Sequence, residues 1–213
     1  GITFIRSDLK GSQPIRALAE NISATTLCTT IGSGSNTVST IEHLMAAFVG
    51  LGIDNTVVSV SASEIPILDG SAAPFVDKLN AVGVQRQSVK RKYFRPSTVI
   101  SVKHLDQYMR WEPCDQTTDP NQLIVDCKID FPSSQAIGKQ SLSFIRSEKS
   151  FMDICEARTF CHMSDVEGMR KKGLALGGSL DNAIVVDDQK VLNNEGLRYP
   201  DEFVRHKILD CLG

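Results

Sequence analysis

Leu123-Ile124-Val125-Asp126-Cys127-Lys128-Ile129-Asp130-Phe131 sets Leu123, Val125, Cys127, Ile129 and Phe131 on one side of an extended chain and Asp126, Lys128 and Asp130 on the other. Such a period of two describes a strand with one buried face, so a sheet is expected here that something else must cover. Upstream, 98–103 and 107–112 read as the two arms of a hairpin. Downstream, Ser147 opens a helix carrying Phe151 and Ile154 and ending near Arg158-Thr159-Phe160. Ser164-Asp165-Val166-Glu167 then caps a short helix that stops at Gly173, and Leu174-Ala175-Leu176-Gly177-Gly178-Ser179 is a turn-rich return. Residues 183–186 read as a buried strand and Asp187-Asp188 as a turn. Pro200 suits the first position of a last helix, with Asp201 and Glu202 at its positive end.

The first half reads as strands with two helices. The chain opens in strand-like alternation at Ile2-Thr3-Phe4-Ile5-Arg6, without an initiator Met, and both ends are expected to be cut. Ser39-Thr40-Ile41-Glu42 has the form of a capping box, followed by Ile41, Leu44, Met45 and Phe48 at helical spacing and by Gly50 or Gly52 as the stop. A strand follows at 55–62, and Asp69-Gly70-Ser71 turns the chain into a helix with Phe75, Val76 and Leu79. The stretch 83–95, charged and poor in large aliphatic residues, is the expected boundary. The fold class is therefore α+β, a two-domain layered sandwich with residues 1–90 in one domain and 91–213 in the other, each a sheet packed against helices.

Composition narrows the function classes. The net charge of -2 argues against a nucleic-acid surface, which needs an excess of Lys and Arg. Lys90-Arg91-Lys92 with Arg95 makes the one basic cluster, read as a solvated segment between domains. Six cysteines without CxxC spacing suit reduced thiols in a cytoplasmic protein. No apolar run is long enough for a transmembrane segment.

The chemistry lies in two remote stretches. In Tyr199-Pro200-Asp201-Glu202-Phe203-Val204-Arg205-His206-Lys207-Ile208-Leu209-Asp210, His206 and Asp210 stack one helical turn apart, with Val204, Ile208 and Cys211 on the side expected to pack. Ser39-Thr40-Ile41-Glu42-His43-Leu44-Met45 adds a second imidazole next to a carboxylate, and together these supply the parts of a hydrolytic zinc centre. The plain alternatives are a surface ion pair for His206 and Asp210 and a helix cap for Glu42, which judged locally is its better explanation. Asp69 is most simply a turn residue that also orients a neighbouring loop.

Longer motifs point further. Ser39 to Ala47 followed by Gly50-Leu-Gly-Ile-Asp-Asn55, then Glu64-Ile-Pro-Ile-Leu-Asp-Gly-Ser-Ala-Ala-Pro-Phe75, Ala157-Arg158-Thr159-Phe160, Gly177-Gly-Ser-Leu-Asp-Asn-Ala-Ile-Val-Val-Asp-Asp188 and Leu197 to Asp210 resemble the UDP-3-O-acyl-N-acetylglucosamine deacetylases, in order and across the whole chain. The resemblance implies zinc-dependent removal of an acetyl group from an acylated UDP-sugar, an early step of lipid A synthesis in Gram-negative bacteria, by a cytoplasmic monomer. It places His43, His206 and Asp210 as the Zn2+ ligands, Glu42 as general base, Thr159 as a partner for the developing oxyanion and Lys207 as a substrate contact near the metal. It also implies a small inserted unit at about 161–186 whose Phe160, Val166 and Ala175 line an acyl passage. His162 departs from the pattern, where an apolar residue is expected. The family's histidine in a loop beyond the last helix lies outside this chain, as does its opening strand. The isolated piece is therefore expected to keep its ligands but turn over little. Two alternatives follow: a fragment or paralogue that binds zinc and sugar nucleotide without turnover, and a metal-free interaction domain.

Overall fold

The computed structural model describes residues 1–114, 122–171 and 177–213. By contacts the chain divides into two compact units, 1–84 with 125–213, and 85–124. The structure is α+β, with several small sheets and five helices among the described residues.

In the larger unit, β1 (Ile2–Arg6) is flanked by β2 (Ile15–Arg16), antiparallel, and by β6 (Thr56–Val60), parallel. A second sheet runs β3 (Ile22–Ala24), β4 (Thr30–Ser33), β5 (Asn36–Val38). Between β5 and β6 lies α1 (Glu42–Gly50), and α2 (Ala73–Val82) follows β6 and ends at Gly83. Helix α1 is apolar on most of its circumference because it serves two cores at once. Leu44 and Phe48 pack with Phe4, Ile31, Val38 and Val60, while Ala46 and Ala47 pack with Val76, Phe151, Ile154 and Leu209.

The smaller unit carries the expected hairpin, β7 (Ile100–His104) against β8 (Gln107–Trp111), with Ile100 opposite Trp111. The chain then re-enters the larger unit through β9 (Ile124–Phe131), paired with β10 (Gly138–Ile145). Exposure alternates strictly along β9, as its sequence requires. Helix α3 (Glu148–Met152) starts at a reciprocal cap between Ser147 and Ser150. Its Phe151 fills the space left by Gly50, where an added Cβ would fall 2.1 Å from the ring.

Next, β11 (Phe160–His162) pairs in parallel with β12 (Ile184–Val186), and α4 (Met163–Lys171) leaves from the end of β11. Helix α5 (Glu202–Leu212) closes the unit against α1 and β10.

Several local expectations are corrected. The Ser39 capping box does not form: Ser39 is held as an extended residue by Ser63 O and Ile65 N–H, and α1 starts after Ile41 with no side-chain cap. Thr40 takes up the change of direction at φ 58°, its hydroxyl bonded to Glu64. Ser164 lies inside α4 rather than capping it, and its N–H donates to Nδ1 of His162. Cys211 is exposed, and Leu209 takes the core position beside Ile208. Glu202 is buried and paired with a side chain from another segment instead of meeting solvent at the helix end. The stop at Gly173 and the return at 174–176 lie outside the described residues.

Phe151 is fully buried at the junction of α1, α2, α3 and α5. Replacing it by Ala is expected to lower unfolding free energy by about 3–5 kcal/mol, read from urea titrations. Burial pushes the Cys155 thiol up from 9.0 to about 11. The native state holds that proton more tightly than the unfolded chain, so this share of stability is intact below pH 9 and is lost as pH rises from 9 through 11. Iodoacetamide at pH 8 should modify exposed Cys114 and spare Cys155 until the protein unfolds, as peptide mapping will report.

Candidate metal centre

Helices α1 and α5 meet at the end that carries the histidines. The last turn of α5 runs so close to the first turn of α1 that a Cβ on Gly213 would lie 1.9 Å from Glu42 O. Ala46 and Ala47, both fully buried, pack in the same core as Ile208 and Leu209 of α5. This approach brings the His43 and His206 rings edge to face with centroids 5.0 Å apart.

Asp210 completes the group. Its Oδ1 lies 3.2 Å from His206 Nε2 and 3.9 Å from His43 Nε2. One potential ligand atom from each of the three residues lies within 4.8 Å of the other two. In a tetrahedral site with bonds of roughly 2.0–2.2 Å, ligand atoms sit roughly 3.3–3.6 Å apart, close to the spacing found. The donor set fits as well. His206 Nδ1 is 2.9 Å from Ala157 O, and since a carbonyl only accepts, that nitrogen carries a proton and points the other ring nitrogen at Asp210. His43 has a buried Nδ1 without a hydrogen-bond partner among the described residues.

The charges of the site fit a cation. Burial, reinforced by nearby His206, drives the His43 pKa down to about 4, so it is a neutral imidazole with a lone pair to give. Burial alone would push the Asp210 carboxyl up, but His206 and Lys207 outweigh it and hold the group well below the usual carboxylate range. Lys207 Nζ lies 2.8 Å from Asp210 Oδ2 and 5.2 Å from the centroid of the Phe160 ring. Two imidazole nitrogens and one carboxylate oxygen suit zinc-like borderline cations better than hard, oxygen-seeking ones.

Glu42 precedes His43 on α1, and its Oε2 accepts the Thr29 N–H at 3.0 Å, a tether across to the start of β4. Burial raises its pKa, opposed by hydrogen bonds from its own backbone and from Thr29. Thr159 is fixed through its backbone: its N–H donates to Gly70 O and its carbonyl accepts from Ile184, both at 2.8 Å. Gly70 has φ 84°, and a Cβ there would lie 2.2 Å from Asn182 O, so only glycine fits this crossing. Asp69 is both turn and orienting residue. Its Oδ1 accepts from the Ser71 amide and hydroxyl, and its Oδ2 meets Arg198 at 3.0 Å.

Of the residues expected to line an acyl passage, Phe160 stands among aromatic rings, edge-on to Phe131, Phe203 and His206. Val166 is half-buried on α4, and Ala175 lies outside the described residues. His162, the departure from the pattern, is partly buried, with its Nδ1 2.7 Å from the Ser164 hydroxyl and its Nε2 2.9 Å from Asp188 Oδ1. Sequence reasoning missed the groups that hold the site from behind. The Thr29 amide and Ala157 carbonyl are backbone atoms without any side-chain signature. Arg158 and Glu202 stood inside the quoted motifs, but their pairing across 44 residues has no local period to betray it.

Comparison with known proteins identifies the family. Residues 1–213 match the family described as LpxC: UDP-3-O-acyl N-acetylglycosamine deacetylase. Proteins named UDP-3-O-acyl-N-acetylglucosamine deacetylase are 45% identical to the chain in Thioalkalivibrio sulfidiphilus and 46% in Shewanella woodyi, each match covering all of this chain and 69% of the relative. The one from Syntrophus aciditrophicus is 42% identical, again over all of this chain and 66% of its own length. With the motifs in one order along the whole sequence and two imidazoles and a carboxylate gathered between α1 and α5, the chain belongs to the LpxC deacetylase family.

Proposed function

We propose that this protein is a zinc-dependent deacetylase that hydrolyses the acetamide of UDP-3-O-acyl-N-acetylglucosamine, an early step of lipid A synthesis in Gram-negative bacteria. The observation that carries this reading is the meeting of His43, from α1, with His206 and Asp210, from α5, within 4.8 Å. Membership of the family supports the reaction and the substrate class. We assign it to the cytoplasm as a monomer; no described helix is long and apolar enough to cross a membrane. Residues 1–90 and 91–213 are proposed as its two domains, with the β11–α4–β12 unit as the insert of the second, at about 161–186.

In this reading His43, His206 and Asp210 hold the zinc. The bound ion supplies Lewis acidity to the attacking water and to the amide carbonyl. Glu42, tethered at Thr29 and with a pKa raised by burial, takes the proton of that water. Thr159 presents its hydroxyl to the carbonyl oxygen as negative charge builds there, from a backbone already anchored at both its amide and its carbonyl. Lys207, paired with Asp210 beside the Phe160 ring, contacts the substrate near the metal. Phe160, Val166 and Ala175 are assigned to the acyl passage.

Two substitutions separate the roles. His43→Ala should abolish metal retention after dialysis, measured by elemental analysis; zinc held as firmly as by the unmutated chain contradicts the ligand set. Glu42→Gln should keep the metal yet slow acetate release by about 10²–10⁴-fold, the usual range for loss of a general base. Measuring bound zinc and acetate release on the same sample tells an enzyme from a chain that only binds zinc and sugar nucleotide.

A further inference from the structure

We propose that Arg158 and Glu202 are a positioning pair, which sets the ring of His206 and the backbone of Thr159 and thereby controls zinc affinity and turnover. The inference rests on the deacetylase reading above.

Glu202 is fully buried, and both its oxygens are saturated. Oε1 accepts from the Arg158 amide at 3.0 Å and from Arg158 Nε at 2.9 Å. Oε2 accepts from Arg158 Nη2 at 3.3 Å and from the Arg198 amide at 2.6 Å. The rest of the Arg158 fork reaches Glu195 at 2.8 Å and Gly196 O at 2.7 Å. One carboxylate thus ties together the segment around Arg158, the turn before α5 and the first turn of α5 itself.

The neighbours of Arg158 are the two groups that the chemistry needs. On one side the Ala157 carbonyl accepts from His206 Nδ1, and on the other lies Thr159. Glu202, His206 and Asp210 follow one another at intervals of four along α5, so they form a single stripe on that helix. Any rotation of α5 that repacks Glu202 must move His206 as well. A buried ion pair is poor at stabilising a fold, since apolar side chains of similar volume do as well or better. What apolar side chains cannot do is hold the Arg158 amide and the Ala157 carbonyl in one orientation.

The test uses the full chain and three variants: Glu202→Gln, Arg158→Lys, and the double variant Arg158→Met with Glu202→Leu. Thermal midpoint, zinc affinity by chelator competition, and the 15N resonances of the His206 ring in metal-free protein are measured for each. Glu202→Gln should lower both midpoint and zinc affinity, the latter by about 10–100-fold, as for other groups that orient a metal ligand. The double variant should regain part of the midpoint lost in Glu202→Gln, since no charge is left buried, while zinc affinity stays at least about tenfold down and the His206 ring shows mixed tautomers. Where acetate release is measured, kcat should fall by about tenfold or more with KM within about twofold.

A double variant that regains midpoint, zinc affinity and a single His206 tautomer together overturns the proposal, leaving the pair merely structural. Should that variant not fold, Arg158→Lys decides: it keeps the charge and the amide but loses the fork. Zinc affinity within about twofold of the unmutated chain then overturns the proposal. Failure of the unmutated chain to retain zinc is a different result, because it removes the metal-site reading while the His206 tautomer still reports on the pair.

Discussion

The close contact of α1 with α5 is the constraint on which the rest of the larger unit depends. Helices approach this closely only where side chains are small, and here Ala46, Ala47 and Gly213 leave the room. Around that seam Val76, Phe144, Phe151, Ile154, Ile208 and Leu209 form one of the cores. Burial of side chains of this size contributes about 1.5–3 kcal/mol each before conformational entropy is subtracted. That apolar packing offsets the cost of removing His43, His206, Arg158 and Glu202 from water.

The polar groups at this seam are organised as layers. Nearest the helix crossing are two imidazoles and Asp210. Behind them stand the Ala157 carbonyl, the Thr29 amide and Lys207, bonded to His206, Glu42 and Asp210 respectively. Behind these again, the buried Arg158 and Glu202 tie the segment of Thr159 to the start of α5. A ligand or base held only by its own torsions would wander by an ångström or more, whereas one held by a second hydrogen bond stays close to a single geometry. The raised pKa of Glu42 and the depressed pKa of His43 have one origin, burial at the same crossing, and both shifts favour the neutral form.

Much of this was legible along the chain. Strict alternation over 124–131 specified β9 and its buried side, and of the two glycines expected to end α1 it is Gly52, at φ 70° just past the Leu51 cap, that does so. The pairing of His206 with Asp210 follows from helical spacing alone. Local rules failed where a residue had two possible partners. Ser39 and Glu42 have the letters of a capping box, yet Ser39 bridges to the strand-like segment at 63–65 and Glu42 turns to Thr29. Glu202 looked like an acidic residue placed for the helix dipole, and it became the buried partner of Arg158, because packing of α5 takes it out of water and a buried carboxylate must then be satisfied by charge-assisted hydrogen bonds.

The sequence by itself determined the element types, the helix that stacks His206 over Asp210 and the motifs that place the chain in its family, since each rests on spacing within a few residues. Only the tertiary structure decided that His43 meets His206, that Ala157 sets the tautomer, and that Arg158 closes on Glu202. These contacts join residues from 44 to 163 positions apart, and nothing in a local period encodes which two buried polar groups will share one dry cleft. That choice is made by packing, because a buried donor or acceptor left without a partner costs about 1–3 kcal/mol.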